Sequence, residues 1–147
     1  MKTKLCLMLV AASLLFSCKK DKVNKAPFIA GEYVGTFHYM LIDKTEISAA
    51  KITFGPTTFS SVGQTNRKPA GGSGTYTFNT DYITFTDTHT WTADFDWSLI
   101  LNGKYIYEVK GDSLILTKNK YVPNPNPQIA ETGYQYRLKR VSNTPAQ

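Results

Sequence analysis

Apolar residues in this chain recur at every second position, and that period excludes most folds at the outset. Tyr105, Tyr107 and Val109 alternate with Lys104, Glu108 and Lys110. Tyr134, Tyr136 and Leu138 alternate with Gln135, Arg137 and Lys139. The same spacing carries Tyr33, Phe37, Tyr39 and Leu41, then Ile52 and Phe54, then Tyr76 and Phe78, and then Ile83 and Phe85 among threonines. A strand sends successive side chains to opposite faces, so this period builds one dry face and one wet face. The residues at the dry positions are mostly aromatic or β-branched, types that suit a half-buried pleated surface. No helical stretch interrupts residues 26–141, which have the size of one domain.

The punctuation between runs is short. Asn79-Thr80-Asp81, Asn102-Gly103 and Gly111-Asp112 each separate neighbouring apolar runs, with Leu99-Ile100-Leu101 read as the run before Asn102. Asn-Gly supports the positive φ of a tight hairpin turn. Short connections make neighbouring strands antiparallel. Eight or nine strands result, and a meander of that length closes into a barrel because closure removes exposed edges. The expected class is all-β: a single antiparallel up-and-down barrel of about eight strands over residues 27–141. Three loops are longer. Residues 63–74 hold Pro69 and several glycines and are expected to be mobile; residues 87–97 are rich in aromatics and acids. Residues 121–133 hold Pro123, Pro125 and Pro127, which favour an extended path. Residues 142–147 read as a disordered tail.

Gly31-Glu32-Tyr33 opens the first strand and Tyr136-Arg137-Leu138-Lys139 closes the last. Residues 31–140 resemble the small lipocalin-like barrels of bacterial lipoproteins. That family opens with Gly-x-Trp, whose Trp packs across the barrel floor against an Arg of the final strand. Here Tyr33 stands in place of the Trp, and Arg137 or Arg140 supplies the cation. The resemblance implies a barrel able to hold one small apolar ligand.

The first residues differ from the rest. Lys2 and Lys4 precede an apolar run from Leu5 to Phe16, and Ser17 and Cys18 follow. That order is a secretory signal, too short to span a bilayer, where about 20 apolar residues are needed. Leu15-Phe16-Ser17-Cys18 resembles the lipobox of bacterial lipoproteins. The resemblance implies removal of residues 1–17, lipidation of Cys18, and a flexible tether over residues 18–26. It places the protein in the cell envelope, anchored by acyl chains to the outer membrane, on its periplasmic side or at the cell surface. Cys6 leaves with the signal, so no thiol remains for a disulfide or a thiolate site.

The formal net charge of +6 belongs to the ends. Lys2 and Lys4 account for two charges, and Lys19, Lys20, Lys22 and Lys25 against Asp21 for three more. Residues 26–147 then carry 11 Lys and Arg against 10 Asp and Glu, a net +1. A nucleic-acid partner, which needs a basic stripe on the folded domain, is not expected. The chain is expected to be a monomer whose partners are the membrane and a small hydrophobic or amphipathic ligand.

Two clusters carry candidate chemistry. Gly111-Asp112-Ser113-Leu114 resembles the signature of a group of serine esterases. A serine nucleophile needs a base, and in that family a histidine follows the serine. His38 and His89 both precede Ser113, so Gly111-Asp112 reads as a bend that sets Tyr107 and Leu116 on neighbouring strands. An enzyme is not expected, with no catalytic residue, cofactor or metal site assigned. The second cluster is Asp87 to Trp97. His89, Asp94 and Asp96 lack the glycine and extra oxygen ligands of a calcium loop. Trp91, Phe95 and Trp97 could stack on a sugar ring, cover a ligand at the barrel mouth, or plug one barrel end. The candidate ligand-binding residues are therefore Trp91, Phe95 and Trp97 of this loop, with Tyr105 and Tyr107 from the barrel wall. The expected function is a lipid-anchored binding protein. The alternative is a protein-interaction or inhibitor module acting through loops 63–74 and 121–133.

Overall fold

Each alternating run forms a strand. The computed structural model describes residues 30–41, 44–120 and 132–142. Residues 1–17, Cys18 and the rest of the tether lie outside the described residues, as do most of loop 121–133 and the tail after Ser142. The strands are β1 (Gly31–Met40), β2 (Thr45–Phe54), β3 (Thr58–Ser61), β4 (Gly72–Phe78), β5 (Tyr82–Asp87), β6 (Gly103–Lys110), β7 (Ser113–Lys120) and β8 (Thr132–Ser142). Every neighbouring pair is antiparallel, and β8 pairs with β1 to close an eight-stranded up-and-down barrel. That is the all-β class the alternation implies, and it is consistent with a lipocalin-like fold.

The register puts the dry faces together. Tyr107 stands opposite Leu116, and Leu116 opposite Tyr136. Phe37 faces Tyr136 with ring centroids 4.7 Å apart. Phe85 lies at the centre, meeting Phe59 edge-on at 4.9 Å and Tyr105 at 5.5 Å. Edge-to-face rings fill the interior as a close-packed core does. At the seam between β1 and β8 the backbones run unusually close. A Cβ on Gly35 would lie 2.0 Å from the carbonyl oxygen of Arg137, so only glycine fits there.

The tight turns β2–β3, β4–β5 and β6–β7 share one end of the barrel with the chain's entry into β1. Tyrosine tips close this floor. The Tyr76 hydroxyl donates to Gly55 O at 2.8 Å, and the Tyr107 hydroxyl donates to Asn79 O at 2.7 Å. Asn79 in turn caps its own bend, its Oδ1 accepting from the amides of Asp81 and Tyr82. Of the two candidate arginines, Arg140 is the one in register with Tyr33; Arg137 stands opposite Thr36.

The longer loops lie at the other end, and two of them plug it. Pro69 and Ala70 of the β3–β4 loop are buried beside Leu99, Ile100 and Leu101 of the β5–β6 loop. Ala70 N donates to Leu99 O at 3.1 Å, and Leu101 N to Gly71 O at 2.8 Å. Within loop 63–74, Pro69 and Ala70 are buried in the plug, while Gly63, Thr65, Asn66 and Arg67 are exposed. One expectation is corrected here. Leu99-Ile100-Leu101 is not a strand paired with β6 across Asn102-Gly103. It follows a 3₁₀ turn (Trp97–Leu99) and makes an isolated parallel bridge from Ile100 to Gly71. Gly103 does take a positive φ of 83°, but it starts β6 out of the plug rather than turning a hairpin.

Candidate functional site

The β3–β4 and β5–β6 loops diverge after leaving the plug, and a cleft of about 470 Å³ lies between them. That volume falls in the lower half of the ~300–1,000 Å³ usual for small-ligand sites. One wall is polar. Ser60 and Ser73 stand opposite each other on the outer faces of β3 and β4, and Gln64, Thr65 and Arg67 continue from the loop above them. The other wall is aromatic: His89, Trp91 and Phe95.

The aromatic wall is fixed from below. Asp87, at the end of β5, accepts from the Ser73 amide at 2.8 Å through Oδ1. Its Oδ2 accepts from Trp91 Nε1 at 2.5 Å, which sets the indole's orientation. His89 and Phe95 each meet Trp91 edge-on with centroids 4.8 Å away. Trp91 and Phe95 are partly buried against the barrel core, so their positions follow from packing as well.

Arg67 clasps the two loops across the cleft. Its Nη1 donates to Asp94 O at 2.9 Å and to Asp94 Oδ2 at 2.5 Å, and its guanidinium lies 4.4 Å over the Phe95 ring. Arg67 takes a positive φ of 58°, uncommon for a non-glycine residue and tolerated because these contacts hold it. The Thr92 hydroxyl and then Arg67 hold the Asp94 carboxyl below its usual range. Behind the polar wall lies Ser61, whose buried hydroxyl has no hydrogen-bond partner among the described residues. Among the described residues every other buried side-chain nitrogen or oxygen has a hydrogen-bond partner.

The structure brings two of the candidate ligand-binding residues together and separates the rest. Trp91 and Phe95 line the cleft. Trp97 is 63% exposed at the start of the 3₁₀ turn and lies outside the cleft lining. Tyr105 and Tyr107 are 2% exposed inside the barrel, where burial raises both hydroxyl pKa values. The acids of the cluster hold the loop: Asp94 pairs with Arg67, and Asp96 caps the 3₁₀ turn by accepting from Ser98 N at 2.9 Å. Among the described residues no three His, Cys, Asp or Glu side chains gather to hold a metal ion. Ser113 stands opposite Lys110 and Lys139 at the floor. His89 is at the cleft and His38 pairs with Ile47 and Gln135 on β1, its pKa lowered by burial and then by Arg137.

Sequence reasoning missed the polar wall. Ser60 and Ser73 look like ordinary wet positions of two strands. The one available signal was Arg67-Lys68, two adjacent cations in an otherwise uncharged loop. No protein-family model, no curated protein and no solved structure matches this chain. Fold and site together define a class: a filled eight-stranded up-and-down β-barrel, plugged at one end, with a side cleft between two clasped loops.

Proposed function

We propose that this chain is a lipid-anchored envelope protein of lipocalin-like type that binds a small amphipathic molecule in its side cleft, without catalysing a reaction. The observation that carries the reading is the pairing of a fixed aromatic wall, Trp91 and Phe95, with a facing polar wall in a volume of about 470 Å³. The site differs from the barrel-axis pocket that the resemblance implies, because aromatic rings occupy the axis. Anchoring through Cys18 agrees with the geometry. The chain enters β1 at the floor, so the cleft at the opposite end points away from a membrane-bound tether. The exposed Trp97 favours a second reading, in which the loop end docks another envelope protein.

Native mass spectrometry of protein released gently from its own membrane tests the first reading. A retained small mass is expected in the natural chain and is lost in Ser60→Trp, which fills the cleft from an outward position. A small mass retained equally by both proteins, or by neither, contradicts it. Cys18→Ala tests the anchor: the variant is expected in the soluble fraction, and one that stays in the membrane rules the lipid anchor out.

A further inference from the structure

The lining of the cleft suits one class of amphipathic ligand better than others. Among the described residues its only aliphatic side chain is Ala70; no Val, Leu, Ile or Met of theirs contributes. A hydrocarbon chain would gain burial against two rings while stripping water from a wall of hydroxyls, an amide and a guanidinium. Those groups would then be left without partners, which opposes binding. The opposite composition, a flat apolar face rimmed by hydroxyls, matches both walls at once. The C–H face of a sugar ring lies on the indole, and its hydroxyls bond across the cleft.

One further feature points the same way. Arg67 spends Nη1 on Asp94, and its other N–H groups have no hydrogen-bond partner among the described residues. Guanidinium groups carry five donors, so three remain for ligand oxygens. Resting on the reading of this cleft as the ligand site, we propose that it is a saccharide subsite. A sugar ring stacks on Trp91, and its hydroxyls meet Ser60, Ser73, Gln64 and Arg67.

The test uses the mature chain carrying Trp97→Phe, in which Trp91 is the sole tryptophan. Neutral saccharides are screened on a broad glycan array, and the best binder is titrated by Trp91 fluorescence. The apolar probe N-phenyl-1-naphthylamine is titrated beside it. A saturable change in Trp91 emission with a saccharide is expected, abolished by Ser60→Trp. Calorimetry on Trp91→Ala is expected to show at least about a tenfold loss of affinity, the scale of a removed stacking platform. Trp91→Phe keeps some of it, which separates stacking from misfolding. Binding of the naphthylamine in the cleft with no saccharide bound overturns the saccharide inference and leaves the cleft as a ligand site. Binding of neither probe, with native mass unchanged by Ser60→Trp, overturns both.

Discussion

Arg140 holds Asp112 from two directions: its Nε donates to the carboxylate at 3.0 Å, and its backbone amide donates to Asp112 O at 2.8 Å. Asp112 thus ties the β6–β7 turn to the last strand at the barrel floor. The arginine side chain is 18% exposed and the aspartate 52%, so solvent screens the pair from one side. Asp112→Ala is expected to cost about 1 kcal/mol in urea unfolding with an unchanged m value, the upper end for exposed ion pairs. Ser113→Ala, one residue on, should stay within ~0.5 kcal/mol of the natural chain. A larger loss from the serine than from the aspartate would contradict this division of roles.

The barrel was legible in the sequence because its information is local. The alternation of Tyr105, Tyr107 and Val109 fixes which face is dry, and Gly111-Asp112 sets the register that places Tyr107 opposite Leu116. The plug was not legible for a related reason. Leu99-Ile100-Leu101 has the composition of a strand, and nothing near it in the chain says that its partner is Gly71. The cleft was half legible. Trp91 and Phe95 declare themselves as aromatics in a polar loop, whereas their facing wall depends on the Arg67–Asp94 contact between distant loops. Parity sends Tyr105 and Tyr107 inward, but it carries no information on whether the interior is filled, so it could not separate a mouth-lining ring from a core ring.

Tyr105 and Tyr136 predict the behaviour of the fold in alkali. Burial raises both hydroxyl pKa values, with Tyr134 adding to the effect on Tyr105 and Tyr105 adding to that on Tyr136. A folded pKa above the unfolded value of 10.0 means the native state resists deprotonation. Their stabilising contribution is therefore complete below pH 10 and is lost as pH rises toward the folded values. In a spectrophotometric titration, Tyr105 and Tyr136 should ionise only together with loss of the β-sheet circular dichroism signal. Smooth ionisation of all tyrosines with the sheet intact would count against the packed interior.

Glu46 governs the acid side at the plugged end. Hydrogen bonds from Lys44 and then Lys68 lower its pKa from 4.5 to about 2. Lys68 also places its ammonium 5.4 Å from the Tyr39 ring, and its own pKa is raised, chiefly by Glu46. The sign follows for each partner. The depressed carboxyl contributes fully above pH 4.5 and loses its contribution as pH falls toward 2. The raised ammonium contributes fully below 10.5 and loses its contribution as pH rises through its folded value. The melting temperatures of the natural chain and Glu46→Gln should thus differ at neutral pH and converge on acidification through that window. Carboxyl chemical shifts of Glu46 provide the direct reading, and a midpoint near 4.5 would dissolve the clasp.

Gly35 and Gly111 test whether the barrel's glycines are there for space or for conformation. At Gly35 the obstacle is steric: a Cβ would meet the Arg137 carbonyl oxygen at 2.0 Å and Leu138 Cα at 2.9 Å, both backbone atoms of the neighbouring strand. Neither can rotate away, so β1 and β8 must separate along the seam that closes the barrel. Gly35→Ala is expected to cost about 3 kcal/mol or more, the range reserved for overpacked core sites. At Gly111 nothing lies within 4 Å of the added carbon, and the obstacle is the positive φ of 57°. Gly111→Ala should cost only about 1 kcal/mol, the usual penalty for placing a Cβ in the left-handed region. Chemical unfolding of the two variants side by side checks the contrast. Equal losses at the two positions would mean that β1 and β8 do not approach as closely as the closed barrel requires.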